Sequence, residues 1–350
     1  MSAPGTAHSA AAPLRWGVLG AGTIARRFAA QLAYSSTGRL HAVASRELSK
    51  AAAFAQEFGA GVVPFGSYEE LLAAPDVDAV YIATPHTHHV EWTVKAAEAG
   101  KHVLCEKPLG VSEATARTAV EAARRHGVVL LEGYMYRFHP QVDVLLDLLT
   151  SGAVGAVQHI DASFSFQVPL RTGRLFDEAL AGGGILDVGG YPVSMARLVA
   201  SAALGGPREP VRFAGSGYVG DTGVDEWAVA SLEFDGGITA HVRCGVGLSD
   251  EEGVTVYGSE GMIRMHTPWV VEPEEPTRIT VRRVGEPQQV LEADAGSEYA
   301  READAVAAAA ASLASGGSAD VPRMTPEDTL ANLRLLDAWR AALGLKYSFE

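Results

Sequence analysis

The chain has 350 residues, 47% of them hydrophobic and 20% charged, with a formal net charge of −14 at pH 7. That length exceeds what a single core usually supports, so two domains are expected. An acidic balance with no basic block argues against nucleic acid or an anionic membrane as partner, and no apolar run is long enough to span a bilayer.

Residues 1–13 have no basic start and no long apolar stretch, so they read as a disordered leader and not as a signal peptide. Residues 14–20 (LRWGVLG) form a short apolar strand. A helix follows, with Ile24, Phe28 and Leu32 at helical spacing on one face. Strands are then predicted at RLHAVAS, VDAVYIAT, KHVLCEK and VVLLEGYMY, with helices at ELSKAAAFAQEFG, HHVEWTVKAAEAG and SEATARTAVEAARRHG between them. This alternation is the signature of a doubly wound parallel α/β sheet.

After about residue 140 the pattern changes. A helix at QVDVLLDLLTSG and a strand at VQHIDASFSFQ precede a Gly/Pro/Arg-rich loop, and ILDVGGYPVSMARLVA reads as a helix built onto a glycine-lined turn. Short alternating segments from 211 to 307 predict an antiparallel meander. The last helix, 325–343, begins with Thr325 as cap, Pro326 at N1 and Asp328 at N3. The expected organisation is therefore a dinucleotide-binding domain over 14–138, followed by an α+β domain over 139–350 with a large, mainly antiparallel sheet. The final helix is expected to pack back on the first domain. Cys105 and Cys244 lie far apart in apolar runs, which fits buried free thiols in a reducing, cytoplasmic compartment.

The motif G-x-G-x-x-A falls on Gly20, Gly22 and Ala25, between the first strand and the first helix. Gly20 allows the tight turn, Gly22 clears space for a pyrophosphate at the helix N-terminus, and Ala25 permits close packing. Thr23 and Ile24 lie in the same turn. This is the Rossmann arrangement. Where NAD readers carry an acidic residue at the end of the second strand, this chain has Ser45 and Arg46, which suit a 2′-phosphate. NADP is the expected cofactor, with NAD possible.

Ligands in such sheets sit beyond the carboxyl ends of the strands. Lys107, which ends a strand before Pro108, should face the crevice, and Thr84, His86 and His89 sit at the end of the neighbouring strand. Glu106 either orients Lys107 or binds a ribose. His86 reaches the nicotinamide ribose or the substrate, and His89 hydrogen-bonds structure or cofactor. Three histidines at 86, 88 and 89 invite a metal reading, but there is no H-E-x-x-H and no cysteine or carboxylate close at ligand spacing, so no metal is expected. Arg137 and His139, just past the fifth predicted strand, either bind hydroxyls or join the domains. Arg171, Arg174 and Asp177 lie in a polar loop and receive no individual role.

GAGTIA, ATPHTHH, AGKHVLCEKPL, EGYMYRFHP, GGGILDVGGYP and YGSEG together resemble the Gfo/Idh/MocA family of oxidoreductases. The resemblance implies a second-domain sheet carrying a sugar site on one side and an oligomer face on the other, hence a homo-oligomer, expected as a dimer. It puts the family's lysine on Lys107, its aspartate on Asp187 and its catalytic position on Tyr191. Tyrosine there is similar to the branch holding NADP-dependent D-xylose dehydrogenase, dimeric dihydrodiol dehydrogenase and glucose-fructose oxidoreductase. The expected activity is NADP-dependent oxidation of a sugar or polyol, such as an aldose. Alternatives are a keto-sugar or dicarbonyl reductase and a non-catalytic dinucleotide-binding sensor. In the expected mechanism the Lys107 ammonium lowers the Tyr191 pKa so that the phenol serves as acid/base. Asp187 holds a sugar hydroxyl, orients the lysine, or merely caps a helix.

Overall fold

The computed structural model describes residues 12–349, so most of the expected leader, residues 1–11, lies outside the described residues. The first half runs β1 (Leu14–Leu19), α1 (Thr23–Leu32), β2 (Gly38–Ala44), α2 (Leu48–Phe58), β3 (Val63–Phe65) and α3 (Tyr68–Ala73). It continues through β4 (Ala79–Ile82), α4 (His89–Glu98), β5 (His102–Glu106), α5 (Glu113–His126) and β6 (Leu130–Gly133). Its six strands form one parallel sheet in the order β3-β2-β1-β4-β5-β6. Helices cover both faces, which is why β4 is buried at every position and reads as a continuous apolar run. β3 and α3 escape a reading by periodicity because three and six residues are too few to show a period. α5 has clear boundaries: a Ser112–Thr115 capping box at its start and Gly127 at φ 62° at its end.

The second half runs α6 (Pro140–Thr150), β7 (Val157–Ser165), a π-helical turn (Ile185–Gly189) and α7 (Gly190–Leu204). Seven strands follow: β8 (Arg212–Val219), β9 (Asp225–Glu233), β10 (Thr239–Gly245), β11 (Gly253–Gly258), β12 (Gly261–Met265), β13 (Thr277–Arg283) and β14 (Gln289–Ala293). The chain ends with α8 (Glu298–Ala314) and α9 (Pro326–Ala342). The eight strands make one sheet, β14-β13-β12-β11-β7-β10-β9-β8. Every pairing is antiparallel except β7 with β10. The sheet is therefore not a simple meander. β7 sits between β10 and β11, with Ile160 and Ala162 buried on the side that α7 covers.

The alternating segments also stop short of residue 307, because α8 begins at Glu298. Alanine dominates its second half, and its buried face carries Tyr299, Ala303 and Val306. That face packs on α1: the Tyr299 ring meets Phe28 edge-on at 6.3 Å, and Ser297 Oγ donates to Gln31 Oε1 at 2.8 Å. α9 starts with the Thr325–Asp328 capping box and Pro326 at its first turn. It bridges the halves, since Asp337 accepts from the Glu113 amide at 2.9 Å while the Trp339 indole donates to Val229 O at 3.1 Å. One buried apolar cluster runs through both halves. Cys105 and Cys244 are buried free thiols. Among the described residues, no helix is long and apolar enough to cross a membrane.

Candidate active site

Strand order turns between β1 and β4, and a crevice of about 570 Å³ opens beyond their carboxyl ends. Gly20, at φ 107°, makes the turn out of β1; a Cβ there would lie 2.9 Å from the Ala83 carbonyl oxygen. Gly22 caps α1 without a side-chain acceptor, and the space a Cβ would take is open. Gly22, Thr23 and Ile24 line the crevice, while Ala25 is fully buried. Thr84 Oγ1 and His86 Nδ1, from two residues that line the crevice, are buried with no partner among the described residues. An uncapped helix start beside two unsatisfied polar atoms is a donor set that fits a dinucleotide. Ser45 and Arg46 follow β2 outside this lining. Ser45 is buried, and its hydroxyl accepts from the Glu47 amide at 3.4 Å. Arg46 is exposed and, among the described residues, forms no hydrogen bond or ion pair.

Lys107 stands where β5 ends. Its ammonium donates to the Asp187 carbonyl oxygen at 2.8 Å, lies 4.0 Å from the Asp187 carboxylate and 5.4 Å from the centre of the Tyr191 ring. The Lys107 ammonium is held by the Asp187 carbonyl and not by the Glu106 carboxylate, whose pKa the Lys107 charge and backbone lower only in part. Glu106 is buried, accepts from the Tyr81 hydroxyl, and burial raises its pKa. Asp187 is the electrostatic centre of the site. Burial opposes its charge, but the Lys107 and Arg174 cations outweigh burial and keep its pKa low. Its Oδ1 accepts from Arg174 Nη2 at 2.9 Å, and the other arm of Arg174 reaches His86 Nε2 at 3.2 Å. The π-helical turn presents Asp187 to the crevice, so the carboxylate is taken up by side chains and caps no helix.

Burial pushes His86 well below the usual histidine range and His89 down to about 4, so both rings are neutral at pH 7. His89 ties two strand-end loops together, with Nδ1 2.7 Å from Pro108 O and Nε2 2.8 Å from Thr84 O. Both nitrogens face backbone carbonyl oxygens, so the neutral ring donates to one of the two, and His89 braces the crevice with neither nitrogen turned to a cofactor. His88 is on the surface beside Glu91.

Tyr191 reaches the crevice from the first turn of α7, packed among Tyr134, Tyr136, Phe164 and Trp269 at centroid distances of 5.3, 5.8, 5.1 and 5.8 Å. Its hydroxyl points at Met135 Sδ, 3.2 Å away. The sequence predicts a phenol acidified by Lys107; the structure gives the reverse. Burial, reinforced by Tyr299 and Glu106, pushes the Tyr191 pKa well above its ordinary value.

Arg137 and His139 do not reach the crevice. Arg137 is buried and donates to Ser194 Oγ at 2.9 Å and Arg323 O at 2.8 Å, while His139 caps α6 through the Gln141 amide. Of the polar loop, Arg174 enters the site, whereas Arg171 pairs with Glu226 at 2.9 Å and Asp177 caps a short turn. Arg27, Met135, Phe164, Phe166, Val270 and Tyr299 also line the crevice and were not predicted. Tyr299 was within reach of sequence reasoning, because the alanine-rich stretch 303–311 signals α8.

Residues 14–134 match the oxidoreductase family with an NAD-binding Rossmann fold, Gfo/Idh/MocA, and residues 143–264 match a C-terminal domain of the same family. The trans-1,2-dihydrobenzene-1,2-diol dehydrogenase of Mus musculus is 35% identical over 82% of this chain and 82% of its own. A D-xylose 1-dehydrogenase (NADP(+)) from Haloferax volcanii is 34% identical over 93% and 96%. The 3-ketoreductase KijD10 from Actinomadura kijaniata, solved with NADP and TDP-benzene, superposes with a TM-score of 0.83 at 31% identity, covering 95% of this chain and 98% of that one. Variants of KijD10 have been solved at a lysine and a tyrosine with the same spacing as Lys107 and Tyr191. With both halves matched and relatives aligned over most of their length, this chain belongs to the Gfo/Idh/MocA family of oxidoreductases.

Proposed function

We propose that the protein is an NADPH-dependent reductase of a ketone on a sugar or sugar-like substrate, with Lys107 and Tyr191 as its catalytic pair. The observation that carries this reading is their convergence over one crevice: Lys107 Nζ lies 5.4 Å from the Tyr191 ring, beside the glycine turn that starts α1. Thr84, His86 and the α1 N-terminus would hold the dinucleotide, and exposed Arg46 would take the 2′-phosphate. The chemistry supplied by a bound nicotinamide is delivery or removal of a hydride. Lys107 polarises the substrate carbonyl, and the Tyr191 hydroxyl donates the proton that the developing alkoxide needs. Asp187 and Arg174 set the position of Lys107 and face the substrate hydroxyls.

With its pKa raised, the Tyr191 phenol keeps its proton at neutral pH, which fits the proton-donating role that reduction requires. Likeness to a 3-ketoreductase supports the same direction. Oxidation of an aldose, the leading expectation from sequence, becomes the second reading; likeness to a D-xylose dehydrogenase favours it. A sensor without turnover would not need both Lys107 and Tyr191.

The deciding experiment follows nicotinamide absorbance with NADPH or NADH against keto-sugars, free and nucleotide-linked, and with NADP or NAD against aldoses and diols. Turnover of a keto-sugar with NADPH is expected. Turnover of aldoses alone would reverse the direction, and tight NADPH binding with no turnover on any substrate would leave the sensor reading.

A further inference from the structure

The face of the second sheet turned away from the crevice carries a cluster that hydride transfer does not use. Along β7, Ile160, Ala162 and Phe164 point towards α7 and the crevice, while His159 and Asp161 point the other way. β10 runs parallel beside β7, with His241 opposite Asp161 and Thr239 opposite His159. Two strands 80 residues apart in sequence thus bring His159, Asp161 and His241 together on one open face.

Asp161 Oδ1 lies 3.4 Å from His159 Nε2 and 4.0 Å from His241 Nδ1, and one donor atom from each residue lies within 4.8 Å of the other two. His159 is held on three sides. Its Nδ1 is 2.8 Å from Thr239 Oγ1, its ring stacks on Tyr257 at 6.0 Å, and the His241 ring meets it edge-on at 5.0 Å. Nε2 is left facing the carboxylate. A partner on the far nitrogen is what fixes the tautomer and aim of a metal-ligating imidazole. The neighbouring cations are already engaged: Arg243 by Asp250 at 2.6 Å and Arg264 by Glu251 at 2.6 Å.

We propose that His159, Asp161 and His241 form a site for one zinc-type divalent cation, with water in the fourth position. Two imidazoles and a carboxylate are a three-ligand set that zinc accepts. Bonds of about 2.0–2.2 Å place tetrahedral donor atoms roughly 3.3–3.6 Å apart. The His159–Asp161 pair already has that spacing, and the His241 side chain, 66% exposed, is free to turn and close the rest. Lying on the far face of the sheet from Lys107 and Tyr191, the ion ties β7 to β10 and takes no part in catalysis.

The test uses untagged full-length protein stripped with EDTA and titrated with zinc chloride by calorimetry, with thermal unfolding followed in parallel. One zinc per chain, a raised unfolding temperature and unchanged NADPH turnover are expected. His241→Ala should weaken binding by more than about 100-fold, and Thr239→Val, which removes only the hydroxyl behind His159, by about 10-fold. Asp161→Asn keeps the shape of the site and gives the same reading if His241→Ala does not fold. No saturable binding, or binding that survives His241→Ala or Asp161→Asn, overturns the site.

Discussion

At the scale of single residues, the proposed reduction turns on the proton of Tyr191. Its raised pKa keeps the phenol protonated, so reduction should stay flat from neutral pH up to the ordinary tyrosine range near about 10. Oxidation needs the phenolate and should climb with pH over the same interval. A neutral-pH limb in the reduction profile that vanishes in Tyr191→Phe would instead assign a lowered pKa to this residue. Tyr191→Phe and Lys107→Met are each expected to reduce kcat by about 10²–10⁴-fold with NADPH binding retained, as measured by fluorescence titration. Arg46 is the corresponding residue for cofactor choice. Charge-assisted hydrogen bonds contribute roughly 1.5–3 kcal/mol, so Arg46→Ala should weaken NADPH by about 10–100-fold and leave NADH nearly unchanged. Equal losses for both cofactors would remove Arg46 from the 2′-phosphate.

At the scale of elements, α8 carries an unusual load for a buried helix. Glu298 and Glu302 are both fully buried; among the described residues Glu302 has no partner for either oxygen, and Glu298 Oε2 accepts from the Val271 amide at 3.5 Å. Burial raises both, Glu298 from 4.5 to about 8. A carboxyl whose folded pKa lies above its unfolded value contributes stability that is complete below about 4.5 and is lost as pH rises towards about 8. Urea unfolding should therefore show stability falling between those limits, by up to about 1.4 kcal/mol per pH unit for this one group. Glu132 and Asp225, each raised to about 7, titrate in the same window, so Glu298→Gln should lessen that slope by one group's share. An unchanged slope would mean that Glu298 is ionised in the fold. The π-helical turn before α7 shows the same economy of length: one widened turn puts Asp187 and, four residues on, Tyr191 at the same crevice.

At the scale of the molecule, α8 and α9 make the two sheets one body. α8 leaves β14 and crosses to α1, and α9 hydrogen-bonds to the start of α5 and to β9. The open face of the second sheet remains, with Tyr218, Val229 and Tyr257 exposed at 45%, 44% and 38%. Pairing of two copies through this face is the expected assembly. Light scattering should give twice the chain mass, falling to one in a Tyr218→Glu, Val229→Glu double variant. Because the proposed zinc site shares this face, the mass is measured in EDTA. A monomer in the unaltered protein would leave the face free.

The sequence alone determined what depends on local interactions. The alternation of strand and helix, the glycine turn at Gly20 and Gly22, the strand-end position of Lys107 and the cap at Thr325 are set by residues within a few positions of one another, where periodicity and backbone conformation act. Tertiary structure decided what depends on contacts distant in sequence. β7 lies between β10 and β11 because strands formed later in the chain close around it, and no local pattern encodes that order. Arg137 is spent on Ser194 and Arg323, and Arg174 reaches both Asp187 and His86, although neighbouring polar loop residues look alike in sequence. The pKa of Tyr191 is raised and not lowered because Tyr134, Tyr136, Phe164 and Trp269 converge on it from three separate segments. Desolvation is a property of that convergence, and it exists only once the chain has folded.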